Sequence, residues 1–128
     1  MNELKIIATE KAPQAIGHYV QGMTSDKLII TSGQIPVVPE TGKMISEPGE
    51  AMTQVLKNIT AIVEKAGGAK NTIARVDIFM TDIKNFAVMN AAYAKFFGSH
   101  KPTRLCVEVK GLPAGAVVEA SALAFVKD

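Results

Sequence analysis

Apolar positions along this chain recur with two different periods. From about Gly49 to Ala66, the residues Met52, Val55, Leu56, Ile59, Ile62, Val63 and Ala66 return at intervals of three and four, while Gln54, Lys57, Asn58 and Lys65 fall on other faces. This is the stripe of an amphipathic helix. Gly67-Gly68 supplies its stop, because glycine tolerates the left-handed conformation past a helix end. A second helix is predicted over roughly Asn85 to Phe97, where Phe86, Met89, Tyr93, Phe96 and Phe97 share a face and Gly98 ends the run.

Elsewhere the period falls to two, the signature of strands. In Ile73 to Thr81, Ala74, Val76, Ile78 and Met80 point one way, and Arg75 and Asp77 the other. In Thr103 to Lys110, Leu105, Val107 and Val109 lie opposite Arg104, Cys106 and Glu108. Leu4 to Ala8, Lys27 to Thr31 and Val117 to Val126 also read as strands, with a turn at Ser25-Asp26 and a further strand at Tyr19 to Met23. Ile35 to Ser46, with Pro36, Pro39 and Gly42, reads as a surface loop.

The element order is strands, helix, strand, helix, strand, strand. It predicts an α+β fold with two helices packed on one face of a sheet. The unit from 73 to 110 is expected to be a right-handed parallel crossover. With no repeat, linker or low-complexity stretch, residues 1–128 read as a single domain. The last strand carries Val118, Ala120, Ala122, Ala124 and Val126 on one side and Leu123 and Phe125 on the other. A strand apolar on both sides needs cover on both. Two helices cover only one face, so the other calls for a symmetric homo-oligomer, or for loops over a central strand.

Composition narrows the function. Of 128 residues, 48% are hydrophobic, yet no apolar run approaches the ~20 residues of a membrane span. The start Met1-Asn2-Glu3-Leu4-Lys5 lacks the plan of a secretory signal, so a cytoplasmic protein is expected. One cysteine, Cys106, forbids an intrachain disulfide. A net charge of +2 with dispersed lysines argues against nucleic acid as a partner. Two histidines and one cysteine show no zinc-ligand spacing, and there is no Walker or dinucleotide loop, so neither metal nor cofactor is expected.

Several residues could carry chemistry. Arg104 has the planar fork that suits a carboxylate ligand, although an ion pair with Glu108 or Glu119 is the plainer reading of the sequence. Glu119 is the one ionisable residue in the apolar stretch 116–126. Burial would raise its pKa toward the range of a proton shuttle, and a structural salt bridge is the alternative. Cys106 reads as a buried structural cysteine rather than a nucleophile. Tyr19 could present a hydroxyl to a cleft. Ser32-Gly33 closes a strand where glycine admits a ligand to the main chain, or forms an ordinary turn. Asn90 falls near the helix face of Phe86, Met89 and Tyr93 and could hydrogen-bond a loop or a ligand.

Taken in order, Ala15-Ile-Gly-His-Tyr-Val-Gln21, Thr31-Ser-Gly-Gln-Ile-Pro36, Pro102-Thr-Arg-Leu-Cys-Val-Glu-Val109, Leu112-Pro113 and Val118-Glu119 resemble the RidA family, also called the YjgF family. The likeness runs from about Ala12 to Val126. It implies a chorismate-mutase-like mixed sheet, and a homotrimer whose sheets pack into a central barrel with clefts between subunits. It also implies that the strands at 103–110 and 116–126 need not pair directly. The activity implied is hydrolysis of reactive 2-imino acids and enamines, such as 2-iminobutanoate and 2-iminopropanoate, to 2-oxo acids and ammonia. By this resemblance Arg104 would grip the substrate carboxylate and Glu119 would activate water. Tyr19, Asn90 and the main chain at Ser32, Gly33 and Cys106 would line the pocket. The family usually has proline where this chain has His18, a small residue where it has Thr103, and often an acid where it has Ser121. Two other readings use the same residues or family: a non-catalytic module that binds 2-oxo acids, and an endoribonuclease or translation inhibitor.

Overall fold

The computed structural model describes residues 3–128; Met1 and Asn2, the start of the stretch read above for a leader, lie outside them. Six strands and two helices follow in the order β1 (Lys5–Ile7), β2 (Gly22–Ser25), β3 (Leu28–Thr31), α1 (Pro48–Lys65), β4 (Ile73–Met80), α2 (Phe86–Phe97), β5 (Thr103–Glu108) and β6 (Val118–Phe125). The strands form one sheet ordered β1-β2-β3-β6-β4-β5. All neighbours are antiparallel except β4 and β5, which run parallel around α2. The sheet is therefore mixed, and β5 and β6 are separated by β4, as the family resemblance implied. Among the described residues no helix is long and apolar enough to cross a membrane.

Both helices pack on one face of the sheet. The α1 stripe buries Met52, Val55, Leu56, Ile59, Ile62 and Val63 completely, against Ile29 of β3, Val76 and Ile78 of β4 and the alanines of β6. Burial of each such side chain contributes on the order of 1.5–3 kcal/mol. The α1 start is fixed by Glu47, whose carboxylate accepts the Gly49 and Glu50 N–H groups at 3.0 and 2.8 Å, which holds its pKa below the usual carboxylate value. Gly98, at φ 65°, ends α2 as expected.

Three local readings are corrected. The strand expected at Tyr19 to Met23 begins only at Gly22, where pairing with Thr31 starts; Tyr19 and Val20 lie in the bend before it. The expected alternation holds from Arg75 to Met80, but a bulge between Ile73 and Arg75 breaks it at the start, so Ile73 takes the core position and Ala74 is only half-buried. Asn58, assigned to a polar helix face, is fully buried. It donates to the carbonyls of Ile35 and Val37 at 3.3 and 3.0 Å and accepts from Gln54 at 2.9 Å, tying the 35–37 loop to α1.

The face away from the helices is apolar and open. It presents Ile6, Leu28, Ile30, Leu105, Val107 and Phe125, from 38% exposed at Leu28 to 66% at Ile6. The arrangement of β5 is inverted for a lone subunit: Arg104 and Cys106 turn toward the helices, while Leu105 and Val107 turn outward.

Candidate functional site

Arg104 stands on edge strand β5, paired with Val76 of β4, and reaches along α2. Its Nη1 donates to Asn90 Oδ1 at 2.7 Å, and its Cζ lies 4.8 Å from the Tyr93 ring centroid. Neither acid named in the sequence reading pairs with it. Glu108 instead accepts the Ile83 N–H at 2.9 Å, and among the described residues no carboxylate lies within 4.0 Å of the guanidinium. Arg104 helps line a cavity of about 420 Å³ with Asn90, Tyr93, Phe97, His100 and Lys101. A positive fork without an internal counter-ion is suited to an external carboxylate.

Cys106 sits two residues along the same strand face, half-buried. Burial pushes its thiol pKa up, with Arg104 acting weakly the other way, so it stays a thiol. Asn90, read in the sequence as a partner for a loop or a ligand, here accepts from the arginine side chain.

Glu119 belongs to a second cavity, of about 540 Å³, lined by Ile16, Tyr19, Ser32, Gly33, Ile35, Pro113 and Ala114. Burial raises its pKa above the ordinary glutamate value. The surrounding chain is held by the side chains of Gln21 and Ser32. Gln21, 4% exposed, accepts the Thr9 N–H at 2.7 Å and donates to the carbonyls of Thr9, Ala12 and Pro13, anchoring the segment that leads to Ile16 and Tyr19. Ser32 commits both of its donors to the preceding segment: its N–H goes to Gln21 O and its hydroxyl to Val20 O. Its side chain therefore supports the loop and leaves the neighbouring main chain to line the cavity. Ala114 adopts a left-handed φ of 57° at the cavity wall.

The predicted residues thus come together as two groups. Arg104 and Asn90, with Cys106 nearby, form one; Tyr19, Ser32, Gly33 and Glu119 form the other. Register separates them. Arg104 pairs with Val76, which pairs with Ala122 on the helix face; Glu119 pairs with Phe79, which pairs with Val107 on the open face. Arg104 and Glu119 therefore point to opposite faces of the sheet of one chain. Tyr93 was read only as a core residue, and its place beneath the guanidinium had no sequence signal beyond its spacing from Asn90. Among the described residues no group of three or more His, Cys, Asp or Glu is placed to hold a metal.

Comparison with known proteins agrees with this fold. Residues 9–126 match the family model described as Endoribonuclease L-PSP. The chain is 46% identical over 123 residues to the 2-iminobutanoate/2-iminopropanoate deaminase of Escherichia coli K12, covering 94% of this chain and 96% of that protein. The crystal structure of the YjgF gene product from E. coli superposes with a TM-score of 0.93 at 44% identity, over 96% of this chain and 99% of that one. E. coli TdcF with bound serine gives a TM-score of 0.93 at 41% identity, over 96% and 99%.

Proposed function

This chain belongs to the Endoribonuclease L-PSP family, the RidA/YjgF proteins, and on that premise we propose that it hydrolyses 2-imino acids in clefts shared between copies of itself. The observation that carries the reading is the Arg104 guanidinium, which lines a cavity and, among the described residues, has no carboxylate within 4.0 Å. Two relatives support the substrate class: one named for 2-iminobutanoate and 2-iminopropanoate, the other holding serine.

The chemistry needs no cofactor, because an imine C=N bond is already polarised. Arg104 binds the substrate carboxylate through two parallel N–H···O bonds and fixes the plane of the imine. Glu119 accepts a proton from water as its oxygen attacks the imine carbon. Glu119 then returns that proton to nitrogen, and as the C–N bond breaks the carbinolamine hydroxyl proton passes to the departing nitrogen, so that ammonia leaves and the 2-oxo acid forms with Glu119 ionised again. Such general acid–base assistance contributes typically about 10²–10⁴-fold. Tyr19 and the main chain at Ser32 and Gly33 wall the cavity on the Glu119 side.

A single chain holds its arginine and its glutamate on opposite sheet faces. The reading therefore joins the Arg104 group of one subunit to the Glu119 group of the next. The open apolar face supports such an assembly, and the trimer implied by the family resemblance provides it. The family description also names an endoribonuclease. The dispersed lysines and the aromatic content of 5% offer RNA little to bind.

The test couples the protein to a threonine dehydratase and follows release of 2-oxobutanoate. The wild type should accelerate release, and Arg104→Ala or Arg104→Lys should lose at least about 100-fold in kcat/KM through lost charge-assisted hydrogen bonds. A wild-type rate equal to the spontaneous one, or full activity in either variant, refutes the reading.

A further inference from the structure

We infer that Tyr93 is a positioning residue for Arg104: its ring, together with that of Phe86, holds the guanidinium ready for an external carboxylate. This rests on the reading of Arg104 as the carboxylate-binding group. The Arg104 Cζ lies 4.8 Å from the Tyr93 ring centroid and 5.5 Å from that of Phe86. Both distances fall within the roughly 6 Å over which a ring face attracts a cation. Phe86, Asn90 and Tyr93 follow at intervals of four and three along α2, so one helix face offers ring, amide and ring in succession. The amide takes Nη1 at 2.7 Å.

An arginine on an edge strand would ordinarily sample many rotamers and lose that freedom when it binds. One held by two rings and an amide has lost part of it already, so less binding energy goes into ordering it. The donors not engaged by Asn90 remain for an incoming carboxylate.

Support comes from the ring and not from the hydroxyl. Tyr93 is 7% exposed, and its hydroxyl is buried without a hydrogen-bond partner. Desolvation pushes its pKa up to about 12, so it stays neutral and brings no charge to the guanidinium. Removing an unpartnered hydroxyl breaks no bond. Phenylalanine at this position should therefore do all that tyrosine does, and an aliphatic residue should not.

The experiment compares Tyr93→Phe, Tyr93→Leu and Phe86→Leu by two readouts. The first is heteronuclear relaxation of the Arg104 Nε–H in the ligand-free protein. Arg104 should be as ordered in Tyr93→Phe as in the wild type, and clearly more mobile in Tyr93→Leu. The second is steady-state imine hydrolysis. Tyr93→Phe should keep its KM within about twofold, while Tyr93→Leu should raise KM about 3- to 30-fold with kcat nearly unchanged, as expected for lost cation–π support that acts equally on bound substrate and transition state. Unchanged Arg104 order and KM in Tyr93→Leu would overturn the inference. So would a Tyr93→Phe defect as large as that of Tyr93→Leu, which would move the role to the hydroxyl. If Tyr93→Leu does not fold, half-buried Phe86 gives the same test, with loosening of Arg104 expected in Phe86→Leu and unchanged order overturning the inference. If the wild type hydrolyses no imine, the functional reading fails, while the relaxation data still decide the positioning role.

Discussion

A Cβ built on Gly33 would stand 2.5 Å from the Oε2 of Glu119 and 3.1 Å from its Cδ. The carboxyl group therefore lies directly against the Gly33 main chain, and only a residue without a side chain leaves it there. Gly33 is not among the residues at positive φ, so alanine would add no backbone strain. It would push aside the far end of a flexible side chain. We expect Gly33→Ala to cost no more than about 1 kcal/mol of stability, yet to lose at least about tenfold in imine hydrolysis through a misplaced base. Thermal melts and the coupled assay, run together, separate the two effects. A normal rate in a folded variant would mean that the chemistry does not depend on where this carboxyl stands.

Glu119 should also leave its mark on pH dependence. Burial raises its pKa in the folded protein above the ordinary value of 4.5. As a base it must be ionised, so activity should fall with acidification at a pH higher than an exposed glutamate would give. For stability the sign is opposite. Between the ordinary and the raised pKa the folded state binds more protons than the unfolded one, so stability falls as pH rises through that window. Glu119→Gln removes the penalty of a buried charge. It should melt higher than the wild type near neutral pH, and the gain should vanish in acid, where both side chains are neutral. A gain of equal size at both pH values would assign the effect to packing instead.

The two periods in the sequence located both helices and the strands β4, β5 and β6, because burial against a sheet depends on which side chains share a face. What the periods could not carry was register. The bulge at Ile73/Arg75 comes from pairing with β6, some fifty positions away, and nothing local in Ile73-Ala74-Arg75 announces it. The same holds for the site. Arg104, Asn90, Glu119 and Gly33 could each be picked out by residue type and family resemblance. That the arginine and the glutamate face opposite sides of the sheet depends on the partner each meets across β4. Asn58 and Gln21 were invisible for a different reason: hydropathy treats an amide as a surface group, whereas these two are buried because they satisfy loop carbonyls.

Asn58 links stability to the site through the 35–37 loop, whose Ile35 lines the Glu119 cavity. Asn58→Ala would leave the Val37 carbonyl and the Gln54 amide without their partner in a part-buried place, while the Ile35 carbonyl keeps the Val37 N–H. Unmade hydrogen bonds of this kind cost about 1–3 kcal/mol. Urea denaturation should show a loss of that size, and hydrogen exchange should show faster opening at the Val37 and Val38 amides. A loss under about 0.5 kcal/mol would place Asn58 with ordinary surface substitutions.

The outward apolar side of β5 makes the strongest demand on assembly. Leu105 and Val107 are 47% and 44% exposed in a strand whose other side carries Arg104. Glutamate at position 105 would be harmless to a subunit that works alone, since the side chain already meets water. If neighbouring copies cover this face, the same change buries an unpaired charge between them, at a cost of several kcal/mol. Leu105→Glu should therefore sediment as a monomer with its helical circular dichroism intact. It should also lose imine hydrolysis although Arg104, Asn90 and Glu119 are untouched, because the monomer keeps its guanidinium and its carboxyl on opposite faces. Full activity in a monomeric variant would show that one chain suffices and would remove the shared cleft from the proposal.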